Sequence, residues 1–268
     1  MEQGTFLRFL AALSGALIAV GTGARADVAT IGASKDNTIF QSNVNNSLGA
    51  GQAIFAGTNA QSSPRRGLID FDIAGSVPAG STINSVQLTL FLNQVGSAAT
   101  SSPTIRLYRL ANEWGEGTAG NSTNGVSGIG QGFAAGEGDA TWNARHFSPT
   151  TPTLWRTAGG DFAASDSAAL AIVGTTLNSP YTWGSTAALV ADVQSWLNNP
   201  PSNLGWMLKS DDEQTASSVR GFWTREAART GQGAFVPQLQ VTYTAVPESA
   251  GMILMLAGCL LGIRRRGK

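Results

Sequence analysis

Histidine and cysteine are almost missing: the 268 residues contain one of each, His146 and Cys259. A catalytic zinc needs three protein ligands, and a hydrolytic triad needs an imidazole beside an activated nucleophile. His146 sits in Thr141-Trp142-Asn143-Ala144-Arg145-His146-Phe147, and the chain has no Gly-x-Ser-x-Gly turn. Both chemistries therefore lack their parts. Charge is sparse as well: 17 Lys plus Arg balance 17 Asp plus Glu, and only 13% of residues are charged, about half the usual ~25%. No nucleic-acid partner is expected, because phosphate neutralisation needs clustered Lys and Arg. What is abundant is glycine, 33 residues, within a 42% hydrophobic composition that argues against wholesale disorder.

The two ends read as targeting segments rather than fold. Residues 1–26 have the three parts of a secretory signal: Arg8, the apolar run Phe9 to Val20, and Ala24-Arg25-Ala26 flanking a cut before Asp27. At the other end, Ala250 to Ile263 is apolar and is followed by Arg264, Arg265 and Arg266. Fourteen helical residues would span about 21 Å, short of the ~30 Å hydrocarbon core, so the expected membrane contact of this helix is transient. The arginines would stay on the cytoplasmic side and leave the body outside.

Val246-Pro247-Glu248-Ser249 stands just before that apolar run. With it, residues 246–268 resemble the PEP-CTERM sorting signal of Gram-negative bacteria that make exopolysaccharide; Ser249 departs from the usual Pro. The resemblance implies an exosortase-like membrane peptidase as partner, transient inner-membrane anchoring, and a final place at the cell surface or outside the cell. An uncut C-terminal anchor is the alternative. The body between the two ends, residues 27–245, has no cysteine and must be stable through its core.

Period-two alternation dominates the body. Val86, Leu88, Leu90 and Leu92 share one face of Ser85 to Asn93; Ile69, Phe71 and Ile73 oppose Asp70 and Asp72. Ile105 and Leu107 oppose Arg106 and Tyr108, and Leu239, Val241 and Tyr243 oppose Gln238, Gln240 and Thr242. One apolar face per strand means half-buried antiparallel strands. Shorter strands are expected near Thr38 to Gln41, Ala53 to Gly57, Ala168 to Val173, Gly205 to Ser210 and Val219 to Arg225, with one helix over Ala187 to Leu197. The pattern predicts an all-β, jelly-roll-like antiparallel sandwich with a Gly- and Ser-rich surface insertion at about 115–138.

Four blocks occur in order: Asp192-Val193-Gln194-Ser195-Trp196-Leu197, Asn203-Leu204-Gly205-Trp206-Met207-Leu208-Lys209, Phe222-Trp223-Thr224-Arg225-Glu226, and Pro237-Gln238-Leu239-Gln240-Val241-Thr242-Tyr243. With looser matches at Asp36 to Ile39, Arg66 to Asp72 and Ile83 to Leu90, they resemble the DNRLRE domain over residues 33–244. That resemblance implies a jelly roll related to carbohydrate-binding modules of secreted and surface proteins.

The expected function is association with extracellular polysaccharide or a cell-surface component, without enzymatic activity. A sugar ring packs its C–H groups on an aromatic face beside polar side chains. Trp142, Trp155, Tyr181 and Trp183 stand in polar, turn-rich contexts and are the carbohydrate-binding candidates, whereas Trp196 and Trp206 belong to the core. No catalytic residue is assigned. A structural calcium ion is the one cofactor considered, with Asp36, Asp70 and Asp72 as hard-oxygen candidates among solvated acids. Arg225 and Glu226 are read as a cross-strand ion pair. The rival readings are a matrix protein that binds other proteins, and a polysaccharide-degrading enzyme using the acids Asp211 and Asp212.

Overall fold

The computed structural model describes residues 25–96, 101–120 and 130–246. Ala24, Pro247, Glu248 and Arg264, Arg265 and Arg266 lie outside the described residues, with the leader, the apolar C-terminal run and the middle of the insertion. Among the described residues no helix is long and apolar enough to cross a membrane. Arg25–Val246 form one compact unit.

Ten strands build the sandwich: β1 Ala26–Phe40, β2 Ala53–Thr58, β3 Pro64–Phe71, β4 Thr82–Val95, β5 Thr104–Arg109, β6 Ala168–Ala171, β7 Pro180–Trp183, β8 Trp206–Ser210, β9 Arg220–Trp223 and β10 Gln238–Thr244. Their pairings are antiparallel. One layer contains β7, β4, β10 and the first half of β1; the other contains the second half of β1 with β3, β8, β5 and β6. β1 serves both layers because it pairs β10 through Gly32 and β3 from Ala33 onward, with a register shift between Ala33 and Lys35 in the second pairing. On the other flank β2 pairs β9 through Ala53–Ala56 and β3 through Gly57–Thr58. These two crossings leave few free edges.

The expected alternation fills the space between the layers. Val86, Leu88, Leu90, Leu92, Leu239 and Val241 meet Ile69, Phe71, Ile105, Leu107, Trp206 and Leu208 in the main core. The helix α1, Ala187–Asn198, closes one side; Thr186 caps it by accepting from the Leu189 N–H at 3.0 Å. Its Trp196 packs on Trp206 with ring centroids 4.5 Å apart. Asp192 on the same helix accepts from Trp206 Nε1 at 2.8 Å and from the Ser167 hydroxyl. The Asp192-to-Trp196 block therefore pins a helix to a sheet.

A second apolar layer covers the outer face of the β1–β3–β8 sheet. Ile39, Leu68 and Met207 point away from the main core and pack with Leu110, Trp114, Ala140, Trp142 and Trp155. The excursion between β5 and β6 supplies the last five of these. The expected surface insertion is corrected in part: Ala119 is buried, and Asp139, also buried, ties the excursion together by accepting from the Thr118 and Gly136 N–H groups.

Candidate functional site

Strand alternation divides β9 and its preceding residue between two faces. Phe222 enters the main core, so Val219, Gly221 and Trp223 occupy the opposite face. Gly221 carries no side chain there because a Cβ would stand 2.6 Å from the Phe55 ring and 3.2 Å from Gln94. Around the Val219 end opens a groove of about 400 Å³, lined by Phe55, Asn59, Gln61, Arg65, Gln94 and Val219 with their neighbours. Phe55 and Val219 give the lining apolar surface and Asn59, Gln61 and Gln94 give it amide groups; Asn59 Oδ1 accepts from the Gln61 and Ser63 N–H groups and its Nδ2 donates to Gln61 Oε1 at 2.7 Å.

Arg65 is the charged side chain in that lining. Its guanidinium donates to Ser63 O at 2.8 Å and to Gly130 O, and lies 5.6 Å from the centre of the Phe40 ring. Among the described residues no carboxylate pairs with it. Burial lowers its pKa to about 10, so the cation persists at neutral pH. An unpaired cation beside amide groups favours a ligand bearing anionic oxygens.

At the other end of β9, on the same face, Trp223 is half-buried and stacks on Phe235 at 6.4 Å and 20°. Phe91 packs edge-on against Phe235 at 5.7 Å, and Trp223 Nε1 donates to Asn178 Oδ1 at 2.8 Å. Val219 and Trp223 are four residue steps apart along the strand, a run of about 13 Å. The face thus joins an amide-lined groove to an aromatic platform.

The expected exposure of the candidate tryptophans is corrected. Trp183 is fully buried, donates from Nε1 to Ile105 O at 2.8 Å and meets Phe222 edge-on. Trp142 and Trp155 are buried in the second layer, where Arg66 lies over the Trp142 ring and Trp155 Nε1 donates to Thr141 O. Their polar flanks turn at the surface while the indoles turn inward. Tyr181 is half-buried, and its hydroxyl donates to Val173 O. Four candidates chosen from loop context therefore do not assemble into one face. Trp223 was legible instead: once Phe222 faces the core, its neighbour must face outward.

The acids are equally scattered. Asp70 accepts from the Phe71 N–H, and burial pushes its pKa up to about 6 against the pull of Lys35. Asp72 accepts from the Gly75 N–H at the surface. Asp36 is separate and wholly buried. Among the described residues no three His, Cys, Asp or Glu side chains converge as a metal cluster. In the Asp211-Asp212-Glu213 run, Glu213 forms a two-pronged pair with Arg66 at 2.8 and 2.7 Å, while Asp212 is exposed and bonds Thr215. His146 pairs with Glu113 at 2.6 Å. Arg225 and Glu226 are corrected from a cross-strand pair: they are adjacent in the 3-10 turn Arg225–Thr230, and Arg225 forks onto Glu116 of the excursion.

The profile of carbohydrate-binding module family 96 matches residues 27–124. This segment is carbohydrate-binding-module-like. It contains β1–β5 and five of the groove residues, Phe55, Asn59, Gln61, Arg65 and Gln94; Val219 and Trp223 lie beyond it. No curated protein matches the chain.

Proposed function

We propose that the protein binds polysaccharide on the face running from the Arg65 groove to Trp223. The observation that carries this is the continuity of the face: amide groups and a guanidinium with no carboxylate partner among the described residues at one end, a half-buried indole at the other, on a single sheet. Stacking and amide hydrogen bonding together are what a sugar chain requires. Arg65 favours sugars bearing carboxylate or sulfate groups in the groove. The match to a carbohydrate-binding module and the DNRLRE resemblance support a binding role without catalysis. In this reading the leader exports the chain, and the Val246-Pro247-Glu248 tail directs it through an exosortase-type step to the cell surface or matrix.

The test is retention of the purified chain on immobilised acidic and neutral polysaccharides. Acidic chains should retain the protein, and Gln94→Ala and Trp223→Ala should each weaken retention while the melting curves remain cooperative. No retention on any polysaccharide would refute the reading.

A further inference from the structure

Nε and Nη2 form one edge of a guanidinium, the edge that matches a carboxylate. Arg66 turns it onto both carboxylate oxygens of Glu213, and Arg225 turns it onto those of Glu116. Arg220, at the start of β9, differs. Among the described residues no carboxylate pairs with it. Its Nη1 donates to Ser218 O at 3.2 Å and to Val219 O at 3.1 Å, and its Nη2 donates to Ser101 O. Arg220 Nε and the Ser101 hydroxyl are both enclosed and have no partner. Arg220 is 1% exposed.

Strand parity explains the burial. Arg220 shares the inward side of β9 with Phe222, whereas Val219 faces the groove. A guanidinium keeps its proton in proteins, so the positive charge stays inside. Burial lowers its pKa, and the side chain acting against that is Tyr181 rather than a carboxylate. The sequence next to Ser101 supplies no acid: positions 96–103, from the end of β4 to the start of β5, read Gly-Ser-Ala-Ala-Thr-Ser-Ser-Pro. A buried ion without an opposite charge is strongly disfavoured. Both unused groups can donate, one through N–H and one through O–H, and an anion accepts from both.

We propose that Arg220 Nε and the Ser101 hydroxyl hold a monatomic anion of the chloride type between β9 and Ser101. One negative charge matches the one positive charge. A residue 1% exposed leaves no opening for a sugar acid, whereas a single atom that sheds its water fits between two donors. The ion ties the first residue of β9 to Ser101, and so braces from inside the strand whose outer face carries Trp223. This site stands apart from the glycan face and does not depend on glycan binding.

The experiment uses the full chain dialysed free of halide. Melting in sodium chloride at about 100 times the chloride dissociation constant should stand roughly 5–10 °C above melting in sodium methanesulfonate at matched ionic strength. Arg220→Met keeps an apolar stem, removes the charge, and should melt alike in both salts. Ser101→Ala should weaken chloride binding about tenfold, as the loss of one hydrogen bond to a charged group does. The exposed Arg156→Gln should keep the full shift. Crystals of the unsubstituted chain grown in bromide should show an anomalous peak within hydrogen-bond reach of Arg220 Nε. Should Arg220→Met fail to fold, that peak still decides. Equal melting of the unsubstituted chain in the two salts overturns the proposal, as does a shift that Arg220→Met retains. A bromide-grown crystal with only water beside Nε also overturns it.

Discussion

Replacing Trp183 separates a core role from a sugar-binding role. Its indole is wholly buried, sits 5.8 Å edge-on from Phe222, and donates to Ile105 O across to the opposite layer. Trp183→Ala removes that volume from between the sheets, which costs about 3–5 kcal/mol. For a chain of this size each kcal/mol moves the midpoint about 2–4 °C, so the melt should fall by roughly 6–20 °C. Trp183→Phe keeps most of the packing and loses the N–H, a cost of about 0.5–1.5 kcal/mol. The assay is urea or thermal unfolding of both variants followed by near-ultraviolet circular dichroism, with polysaccharide retention measured on the folded fraction. A Trp183→Ala protein that melts within 1–2 °C of the unsubstituted chain but loses retention would refute the reasoning and return Trp183 to the surface.

Arg66→Ala should cost about 3 kcal/mol in chemical unfolding, because it strands Glu213, whose side chain is 12% exposed, and uncovers the Trp142 ring. That is the low end for a broken buried pair, since Lys209 remains 3.4 Å from Glu213. Asp70 gives a pH signature. Its carboxyl is raised from 3.8 to about 6, so the folded state holds the proton more tightly than the unfolded one. Its contribution is fully present below about pH 4 and is lost as pH rises through about 6. Asp70→Asn should remove that loss, and its stability relative to the unsubstituted chain should grow by about 2 kcal/mol between pH 4 and 7. A flat difference across that range would contradict the burial of Asp70. Thr186→Ala should cost about 1 kcal/mol through the lost cap on α1, read from the urea midpoint.

Much of the fold was legible because one face of each strand carries the signal. Val86 to Leu92 and Leu239 to Val241 alternate as they do because only one side of their sheet meets the main core. The 15 residues of β1 were harder to read. Only Thr38 to Gln41 stood out, since the first half pairs β10 with exposed side chains at Val28 and beyond. The second apolar layer was hidden for a different reason. Leu68 and Met207 sit at outward positions, and what covers them comes from an excursion with no period of its own. The candidate site failed in the same place: local polarity around Trp142, Trp155 and Trp183 says where the backbone turns, not where the indole points. Trp223 follows from the parity of its own strand, but Gln94 shares the parity of inward Leu92 and turns outward only at the register shift between them, and Arg65 enters the groove through long-range packing with Phe40 and Gly130.

Hydrogen–deuterium exchange with and without an acidic oligosaccharide tests the glycan face most directly. Binding should slow exchange at Asn59 to Gln61, at Gln94 and Val95, and along Val219 to Trp223, and leave residues 141–160 unchanged. Protection confined to 141–160, or none at saturating ligand, would contradict the account.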